Sequence, residues 1–370
     1  NFLPSHGNQL QSIKTGEDTY KAIFEAMEKA KKYIHVQYYI FEEGELAHKF
    51  LEILKRKSEE GLIIRFLYDG FGSWELGRDY LNSLEESGIA TLSFMPIRFG
   101  RLLNSVNDRN HRKIVIVDGK IGFTGGFNVS DKYITGDLEL GIWHDIHMRL
   151  EGPIVTSLQA VFAIDWLFAS GKDDILSTEY FTEQPEVGNS IAQMVASGPD
   201  SDFSSIHHLY FALINNAKEY VYITNPYIIP GNALLEALQV AAMGGVDVRL
   251  LLSSKSDSIL VRWSVRSYFE VLLSAGVKIY LYPKGFLHGK MIISDDQLAT
   301  IGSANMDIRS FEQNYEVNVL AYDAKLTQEL KRDFLRDCEK SDRIDYREFL
   351  ERPRMDRLKE GFAKIFSPIL

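Results

Sequence analysis

Residues 111–118, HRKIVIVD, hold the pattern around which the rest of the chain is organised. The stretch contains a His, a Lys and an Asp that are separated by one residue and then by four, and the same spacing returns in the second half of the chain. The two copies consist of His111, Lys113 and Asp118, and of His288, Lys290 and Asp295. In both, a short turn and an Asn follow at the same interval, as GGFN at 125–128 and GSAN at 302–305. Such repetition indicates a duplicated functional element.

Strand periodicity places the His and the Lys of each copy on one face and the Asp on the other, since side chains alternate along a strand. Asp118 is followed by Gly119, and Asp295 is followed by Asp296. Both pairs are typical of a hairpin turn. We therefore predict that the motif spans a strand in each copy and that the role of the two Asp residues is structural.

The chemistry that a paired His and Lys favour, beside small residues and an amide, is phosphoryl transfer. Imidazole can attack phosphorus, an ammonium supplies charge for the non-bridging oxygens, and an amide donates to them. Two His are required if one is the nucleophile and the other protonates the leaving alkoxide. The candidate substrate-binding residues are Asn128, Asn305, Gly126 and Ser303. The alternative, two strands with incidental His and Lys, would suit either copy alone but not both.

These residues resemble the duplicated HKD motif of the phospholipase D superfamily. The flanking sequences NHRK at 110–113, GGFN at 125–128 and ANMDIRSF at 304–311 resemble the bacterial cardiolipin synthases within it. The likeness continues from 165–166 to the end of the chain. It implies an enzyme that condenses two phosphatidylglycerols into cardiolipin and glycerol through a phosphohistidine. By analogy with the family, His111 is the nucleophile and His288 is the general acid and then base.

Three other functions compete with this interpretation. A phospholipase D would use water in place of the second lipid. A catalytically idle lipid-binding scaffold is disfavoured because every motif position is retained. A nuclease is disfavoured by the net charge of −10, since nucleic-acid binders normally carry a basic excess.

The length of 370 residues suits two domains, each able to bury its own core. Helical and strand patterns alternate, which is typical of an α/β sandwich. We expect helices at 15–30, with Thr15 as N-cap, and at 44–60, and strands at 33–40 and 62–68. The strand patterns return at 220–224, 245–251 and 276–279.

The repeated order of elements predicts two pseudo-twofold-related α/β sandwich domains of the phospholipase D type, with one shared active site at their interface. Pro and Gly interrupt the pattern near residues 186–201. We therefore assign residues 1–190 to the N-terminal domain and residues 191–370 to the C-terminal domain.

Each half also offers a carboxylate on a later strand, Asp145 in the first and Glu316 in the second. A carboxylate bound to the far nitrogen of a catalytic His would fix its tautomer. We assign this role to both, with a surface carboxylate as the alternative. His144 and His147 are separated by three residues, so on a strand they lie on opposite faces and do not favour a metal site. We predict no metal and no other cofactor.

The expected partners are phosphatidylglycerol and an anionic membrane surface, with no nucleic acid; the sequence does not indicate an oligomeric state. No apolar run reaches the length of roughly 18 residues that a membrane span needs. Because the sequence begins with Asn1 instead of Met, we expect that an upstream segment has been removed. The resemblance implies that this is a membrane segment and that the protein belongs to the cell membrane of a bacterium. Residues 97–103 and the segment 227–230 are candidate lipid contacts, with a packed loop and a strand-end turn as alternatives. The sole cysteine, Cys338, is expected on a solvated helix.

Overall fold

The computed structural model describes residues 2–95 and 108–367. In these ranges the strands are β1 (Ser5–Ile13), β2 (Tyr33–Tyr38), β3 (Ile63–Asp69), β4 (Ala90–Phe94), β5 (Arg109–Asn110), β6 (Ile114–Val117), β7 (Ile121–Gly125), β8 (Trp143–His144), β9 (His147–Glu151), β10 (Ser190–Ser197), β11 (Tyr220–Thr224), β12 (Ile228–Ile229), β13 (Asp247–Ser253), β14 (Lys278–Tyr282), β15 (Phe286–Leu287), β16 (Met291–Ser294), β17 (Leu298–Gly302), β18 (Met306–Asp307), β19 (Asn314–Tyr322) and β20 (Asp342–Arg343). The helices are α1 (Gly16–Glu28), α2 (Glu45–Glu59), α3 (Arg78–Glu86), α4 (Ile154–Ser170), α5 (Ser205–Asn216), α6 (Gly231–Met243), α7 (Ile259–Arg266), α8 (Phe269–Ser274), α9 (Ile308–Glu312), α10 (Ala324–Glu339), α11 (Tyr346–Leu350) and α12 (Arg354–Lys364).

One continuous sheet runs through both halves of the chain. Its order is β4-β3-β2-β6-β7-β9-β1 in the first half and β10-β19-β17-β16-β11-β13-β14-β20 in the second, with β1 paired to β10 where the halves meet. Each half contains a parallel set of three strands, β2-β3-β4 and β11-β13-β14, extended by antiparallel strands. This equivalence about the β1-β10 seam matches the predicted pseudo-twofold duplication.

Helices cover both faces of the sheet, which explains why its central strands are almost wholly apolar. The helices α1, α2 and α3 pack on one face of the first half, and α5, α6 and α8 do so in the second. On the other face α4 and α10 contribute to a single core that contains residues of both halves. The four residues of β6, IVIV, are buried on both sides. The strand that follows Lys113 is therefore packed between the two helical layers.

Local sequence signals explain the main helix starts. Thr15 caps α1 as predicted, because its side chain accepts from the backbone N–H of Asp18. Asp307 and Asp323 cap α9 and α10 in the same manner. The predicted helices and strands are present with ends that differ by one or a few residues.

Two sequence expectations need correction. The predicted strand over residues 111–118 begins only at Ile114, so His111 and Lys113 lie in the segment that leads into β6. Cys338 is buried against the core rather than solvated, because it follows Leu330 and Phe334 on the inner face of α10. The predicted lipid contact at residues 97–103 lies outside the described residues. The 190/191 division falls at the start of β10, a strand that pairs with β1 and β19, and it stays a prediction. None of the described helices is long and apolar enough to cross a membrane.

Candidate active site

A cavity of about 360 Å³ lies where the two halves meet, and both motif histidines line it. Asn128 and Asn305 line it as well. The remaining lining residues are Tyr39, Ile40, Trp143, Tyr227, Ile229, Asp257, Ser258, Val261, Asp307, Arg309, Ser310 and Asn314. The structure thus brings the His and the Asn of both motif copies into one cavity.

Each motif His is positioned by a short parallel pairing with the opposite half. Strand β5 pairs with the start of β19, and the backbone N–H of His111 continues this pairing by donating to the carbonyl of Tyr315 at 2.9 Å. Strand β15 pairs with β8, and the N–H of His288 donates to the carbonyl of His144 at 2.7 Å. Glu316 follows Tyr315, and Asp145 follows His144. The same backbone hydrogen bond in each half therefore places a motif His next to a predicted carboxylate.

The carboxylates are exchanged between the halves. Nδ1 of His111 lies 2.9 Å from Oε1 of Glu316, and Nδ1 of His288 lies 2.6 Å from Oδ2 of Asp145. Both carboxylate side chains are fully buried. Because Nδ1 of each imidazole is engaged, Nε2 is the nitrogen left for chemistry. The predicted carboxylate partners are therefore in place, each from the half that does not carry its His.

Burial and neighbouring charges tune these groups in opposite directions. Desolvation lowers the pKa of His111 to about 4, with Lys113 acting in the same sense and Glu316 against it. Burial likewise lowers the pKa of His288, assisted by Lys290 and opposed by Asp145. Burial alone would raise the pKa of each carboxyl, yet the paired histidine and the nearby lysine hold the pKa of both below its usual value. At neutral pH His111 is therefore an uncharged imidazole beside a carboxylate, the form that a nucleophile needs.

The two motif lysines are fully buried and lie outside the cavity lining. Nζ of Lys113 donates to the carbonyl of His111 at 2.5 Å, and Nζ of Lys290 donates to the carbonyl of His288. Desolvation lowers the pKa of both. The two lysines lie behind the histidines, close enough to influence the electrostatics of the site, and their supply of charge to the phosphate oxygens stays a prediction.

Asp118 and Asp295 lie at the hairpin turns after β6 and β16, and both have positive φ. The carboxylate of Asp118 accepts from the backbone N–H groups of residues 31, 32 and 33, at 2.8 to 3.0 Å. That of Asp295 accepts from residues 218, 219 and 220 over the same range. Each Asp thus fixes the chain entering β2 or β11, on which its motif strand packs, and neither lines the cavity.

Gly126 and Ser303 occupy equivalent positions beside the carboxylates rather than in the cavity lining. A Cβ on Gly126 would overlap the carboxyl group of Asp145, so only Gly leaves room for it. The hydroxyl of Ser303 donates to Glu316. The sequence-based assignment of these two residues to substrate binding differs from this placement, in which they support the carboxylates. Asn128 and Asn305 do line the cavity, and Oδ1 of Asn305 has no hydrogen-bond partner.

Sequence reasoning missed several lining residues. The ring of Tyr39 packs edge-on against His111 at 4.9 Å, and Trp143 contacts His288 at 5.4 Å between ring centroids. A Tyr-Ile pair follows a strand in each half, at 39–40 and 227–228, and both tyrosines line the cavity. That repeated pair was the available signal for Tyr39. Tyr227 and Ile229 belong to the segment predicted as a lipid entrance.

A buried ion pair ties the first motif to the seam between the halves. Nη1 of Arg112 lies 2.5 Å from Oδ1 of Asp165 on α4, and its other nitrogens donate to the carbonyls of Glu316 and Ser197. The segment that carries His111 is therefore held to α4, β10 and β19 together. Removing either charge would leave the other buried and unpaired, which is strongly destabilising.

Within residues 2–95 and 108–367, no group of three or more His, Cys, Asp or Glu side chains is arranged so that it could bind a metal ion. His144 hydrogen-bonds in the β8-β15 pairing through its backbone, and His147 is buried in β9. Burial lowers the pKa of His147 to about 3.

Comparisons with known proteins agree on one family. A family model described as cardiolipin synthase, PLD-like domain, matches residues 23–166 and 210–338. A cardiolipin synthase of Geobacillus sp. (strain WCH70) is 43% identical over 370 residues, covering 99% of this chain and 73% of the relative. Cardiolipin synthase 2 of Bacillus anthracis is 43% identical over 368 residues, covering 99% and 71%. The crystal structure of phosphatidylserine synthase from Haemophilus influenzae Rd KW20 superposes with a TM-score of 0.74 at 15% identity, covering 98% of this chain and 95% of that one. This last likeness concerns the fold.

Proposed function

Because the chain belongs to the cardiolipin synthase family of the phospholipase D superfamily, we propose that it condenses two phosphatidylglycerol molecules into cardiolipin and glycerol. The observation that carries the proposal is the single cavity lined by His111 and His288, each bonded through Nδ1 to a carboxylate of the opposite half. Two imidazoles with free Nε2 atoms in one cavity suit a double displacement at phosphorus.

In the first step Nε2 of His111 attacks the phosphorus of the donor lipid. A P–N bond forms, the P–O bond to glycerol breaks, and the leaving oxygen takes a proton from His288. In the second step the hydroxyl of another phosphatidylglycerol attacks that phosphorus and passes its proton back to His288. The P–N bond breaks, and its electron pair returns to His111. One phosphodiester replaces another, so no external energy source is consumed.

The surroundings of the cavity provide for each stage. Glu316 stabilises the positive charge that His111 gains on attack, and Asp145 does so for protonated His288. The charges of Lys113 and Lys290 act on the phosphate from behind the imidazoles, while Asn128 and Asn305 face it directly. Preorganised charge in a buried site stabilises a transition state more than it would in water.

We place the enzyme on an anionic bilayer surface because its proposed substrate is a lipid. Helix α12 presents Met355, Leu358 and Phe362 to solvent, and its C-cap residue Ile365 continues the same side; all four are at least 60% exposed and at helical spacing. Basic residues lie beside them at Arg354, Arg357, Lys359 and Lys364. The helix packs on α7, whose Val261 lines the cavity. An apolar stripe with adjacent cations is typical of an interfacial helix.

This orientation is tested by co-sedimentation with phosphatidylglycerol vesicles. Phe362→Glu should weaken binding, whereas Met243→Glu, at an equally exposed apolar position at the end of α6, should not. Equal weakening by both variants, or by neither, would contradict a docking role for α12.

The activity itself is tested by incubating the purified protein with phosphatidylglycerol vesicles and resolving the lipid products. Cardiolipin with an equivalent of glycerol is the expected result. Phosphatidic acid with glycerol would instead identify a hydrolase, and no turnover would favour a scaffold.

A further inference from the structure

The proposed reaction brings two phosphodiesters together. The first phosphodiester is attacked by His111. The second belongs to the acceptor lipid and remains intact. In the product these two phosphates are joined by a single glycerol, so the acceptor phosphate must lie close to the reacting one. A cation in the cavity, in addition to the groups around the histidines, would bind such a phosphate.

Arg309 is a lining residue of the cavity whose guanidinium makes no ion pair or hydrogen bond within the part of the chain that the structure describes. Arg309 lies in the first turn of α9, which Asp307 caps and which begins three residues after Asn305. By contrast, the guanidinium of Arg112 is fully engaged with Asp165 and two carbonyls. Arg309 is thus placed to bind an external anion without first breaking an internal contact.

The carboxylates near Arg309 are already occupied by other donors. Oδ1 of Asp307 accepts from the backbone N–H of Ser310 at 2.7 Å, and Asp257 accepts from the hydroxyl of Tyr227 at 2.7 Å. Burial raises the pKa of Asp307 to about 6, against the hydrogen bonds of Ser310 and the nearby charge of Arg309. On the same segment Asn305 lines the cavity, and its side-chain NH₂ group, the donor that an anion needs, makes no hydrogen bond in the described ranges. An amide and a guanidinium with open hydrogen-bonding positions therefore line one wall.

The pseudo-twofold offers an internal comparison. Lys132 lies as far beyond Asn128 as Arg309 lies beyond Asn305. Nζ of Lys132, however, is 3.1 Å from Oε1 of Glu42, and Lys132 does not line the cavity. The cation at this position therefore has a carboxylate partner in the first half, whereas in the second half it has no ion-pair partner among the described residues. Two equivalent half-sites would not need this difference, whereas a site in which one lipid's phosphate reacts and the other lipid's phosphate stays intact would.

We propose that Arg309, together with Asn305, forms a second anion subsite that binds the intact phosphodiester of the acceptor lipid. A guanidinium suits this task because its parallel N–H groups bind two phosphate oxygens at once. The subsite holds the acceptor hydroxyl over the phosphohistidine, where it attacks with loss of its proton to His288 and release of His111. It thereby favours transfer to a phospholipid over transfer to water or to a small alcohol. This inference rests on the proposed function and specifies its acceptor.

The test is a competition between acceptors. Phosphatidylglycerol vesicles labelled in the acyl chains are supplied with ethanol, and cardiolipin, phosphatidylethanol and phosphatidic acid are quantified for the wild type, Arg309→Gln, Arg309→Lys and Lys132→Gln. Ethanol has no phosphate, so it does not use the subsite. The ratio of cardiolipin to phosphatidylethanol is internal to each reaction and does not depend on the amount of folded protein.

Arg309→Gln should lower this ratio by about tenfold or more, since a charge-assisted bidentate contact is lost. Arg309→Lys should give an intermediate ratio, and Lys132→Gln the wild-type one. An unchanged ratio in Arg309→Gln, or the same decrease in Lys132→Gln, would overturn the subsite. Failure of the proposed function has a different signature, because the wild type would then form no cardiolipin. Phosphatidic acid and phosphatidylethanol alone would identify a hydrolase, and no product at all would favour a scaffold.

Discussion

Nδ1 of His111 lies 2.9 Å from Oε1 of Glu316, although the two residues belong to opposite halves of the chain. Asp145 and His288 repeat the exchange in the other direction. Neither half therefore contains a complete His-carboxylate pair of its own. In the proposed mechanism this makes the site dependent on correct docking of both halves.

The first prediction follows from the shared cavity. Because one imidazole attacks while the other transfers protons, His111→Ala and His288→Ala should each lower turnover by at least about 10³-fold, and the double variant should be little worse. The measurement is the steady-state rate on phosphatidylglycerol vesicles. Two independent sites would leave about half the activity in each single variant, a result incompatible with this account.

The second prediction concerns the carboxylates. Replacing Glu316 by Gln should reduce turnover by roughly 10²- to 10⁴-fold in a folded protein, because an amide no longer stabilises the imidazolium or selects its tautomer. Asp145→Asn should have a comparable effect. Circular dichroism serves as the folding control. Near-normal turnover in both variants would show that the paired carboxylates do not assist the histidines.

The third prediction separates the motif Asp residues from the chemistry. Asp118→Asn and Asp295→Asn each weaken a carboxylate that accepts three backbone N–H groups, so each should lose about 1–3 kcal/mol of unfolding free energy. Activity per folded molecule should stay near that of the wild type. A fully stable but inactive variant would instead assign that Asp to catalysis.

The fourth prediction concerns pH and His35, which is buried in β2 and hydrogen-bonded to Gln159. Burial, assisted by Arg65, lowers its pKa from 6.5 to about 3. In the unfolded chain His35 therefore binds a proton as the pH falls below about 6.5, whereas in the folded chain it does so only near pH 3. The contribution of neutral His35 to the free energy of unfolding is thus fully present above about pH 6.5 and is lost as the pH falls toward about 3. Between about pH 4 and about pH 6, His35→Gln should show a slope of unfolding free energy against pH that is shallower by up to about 1.4 kcal/mol per unit. Equal slopes in denaturant titrations would contradict this.

The duplicated fold could be predicted because the repeated spacing of motifs and strands is visible in the sequence itself and does not depend on which residues are in contact. The pair Asn128 and Asn305 followed from the same repetition, whereas Asp145 and Glu316 followed from the strand pattern later in each half. Which carboxylate meets which His could not be predicted, since the exchange depends on β5 pairing with β19 and β8 with β15 across the halves. The placement of Gly126 and Ser303 was missed for a related reason. Small residues near a phosphate motif suggest ligand contact, whereas here they make room for, or bind, a neighbouring carboxyl group.

The open state of Arg309 was also beyond sequence analysis. Arg309 and Lys132 occupy equivalent motif positions, and only the three-dimensional contact between Lys132 and Glu42 distinguishes them. Likewise, strand phase predicted a common face for His111 and Lys113. The segment before Ile114 is not a strand, and the lysine turns back to the carbonyl of His111.

Covalent attack by His111 with proton transfer by His288 is tested by mass spectrometry of the intact enzyme. The enzyme is exposed briefly to a phosphatidyl substrate with an acidic leaving alcohol and is then quenched with denaturant without acid, because acid cleaves a P–N bond to imidazole. Such an alcohol departs without protonation. If His111 is the nucleophile, we expect a phosphatidyl adduct on His111 in the wild type and in His288→Ala, and none in His111→Ala. An adduct on His288 that persists in His111→Ala would contradict the assignment of the nucleophile, and no adduct in any of the three proteins would contradict the covalent mechanism.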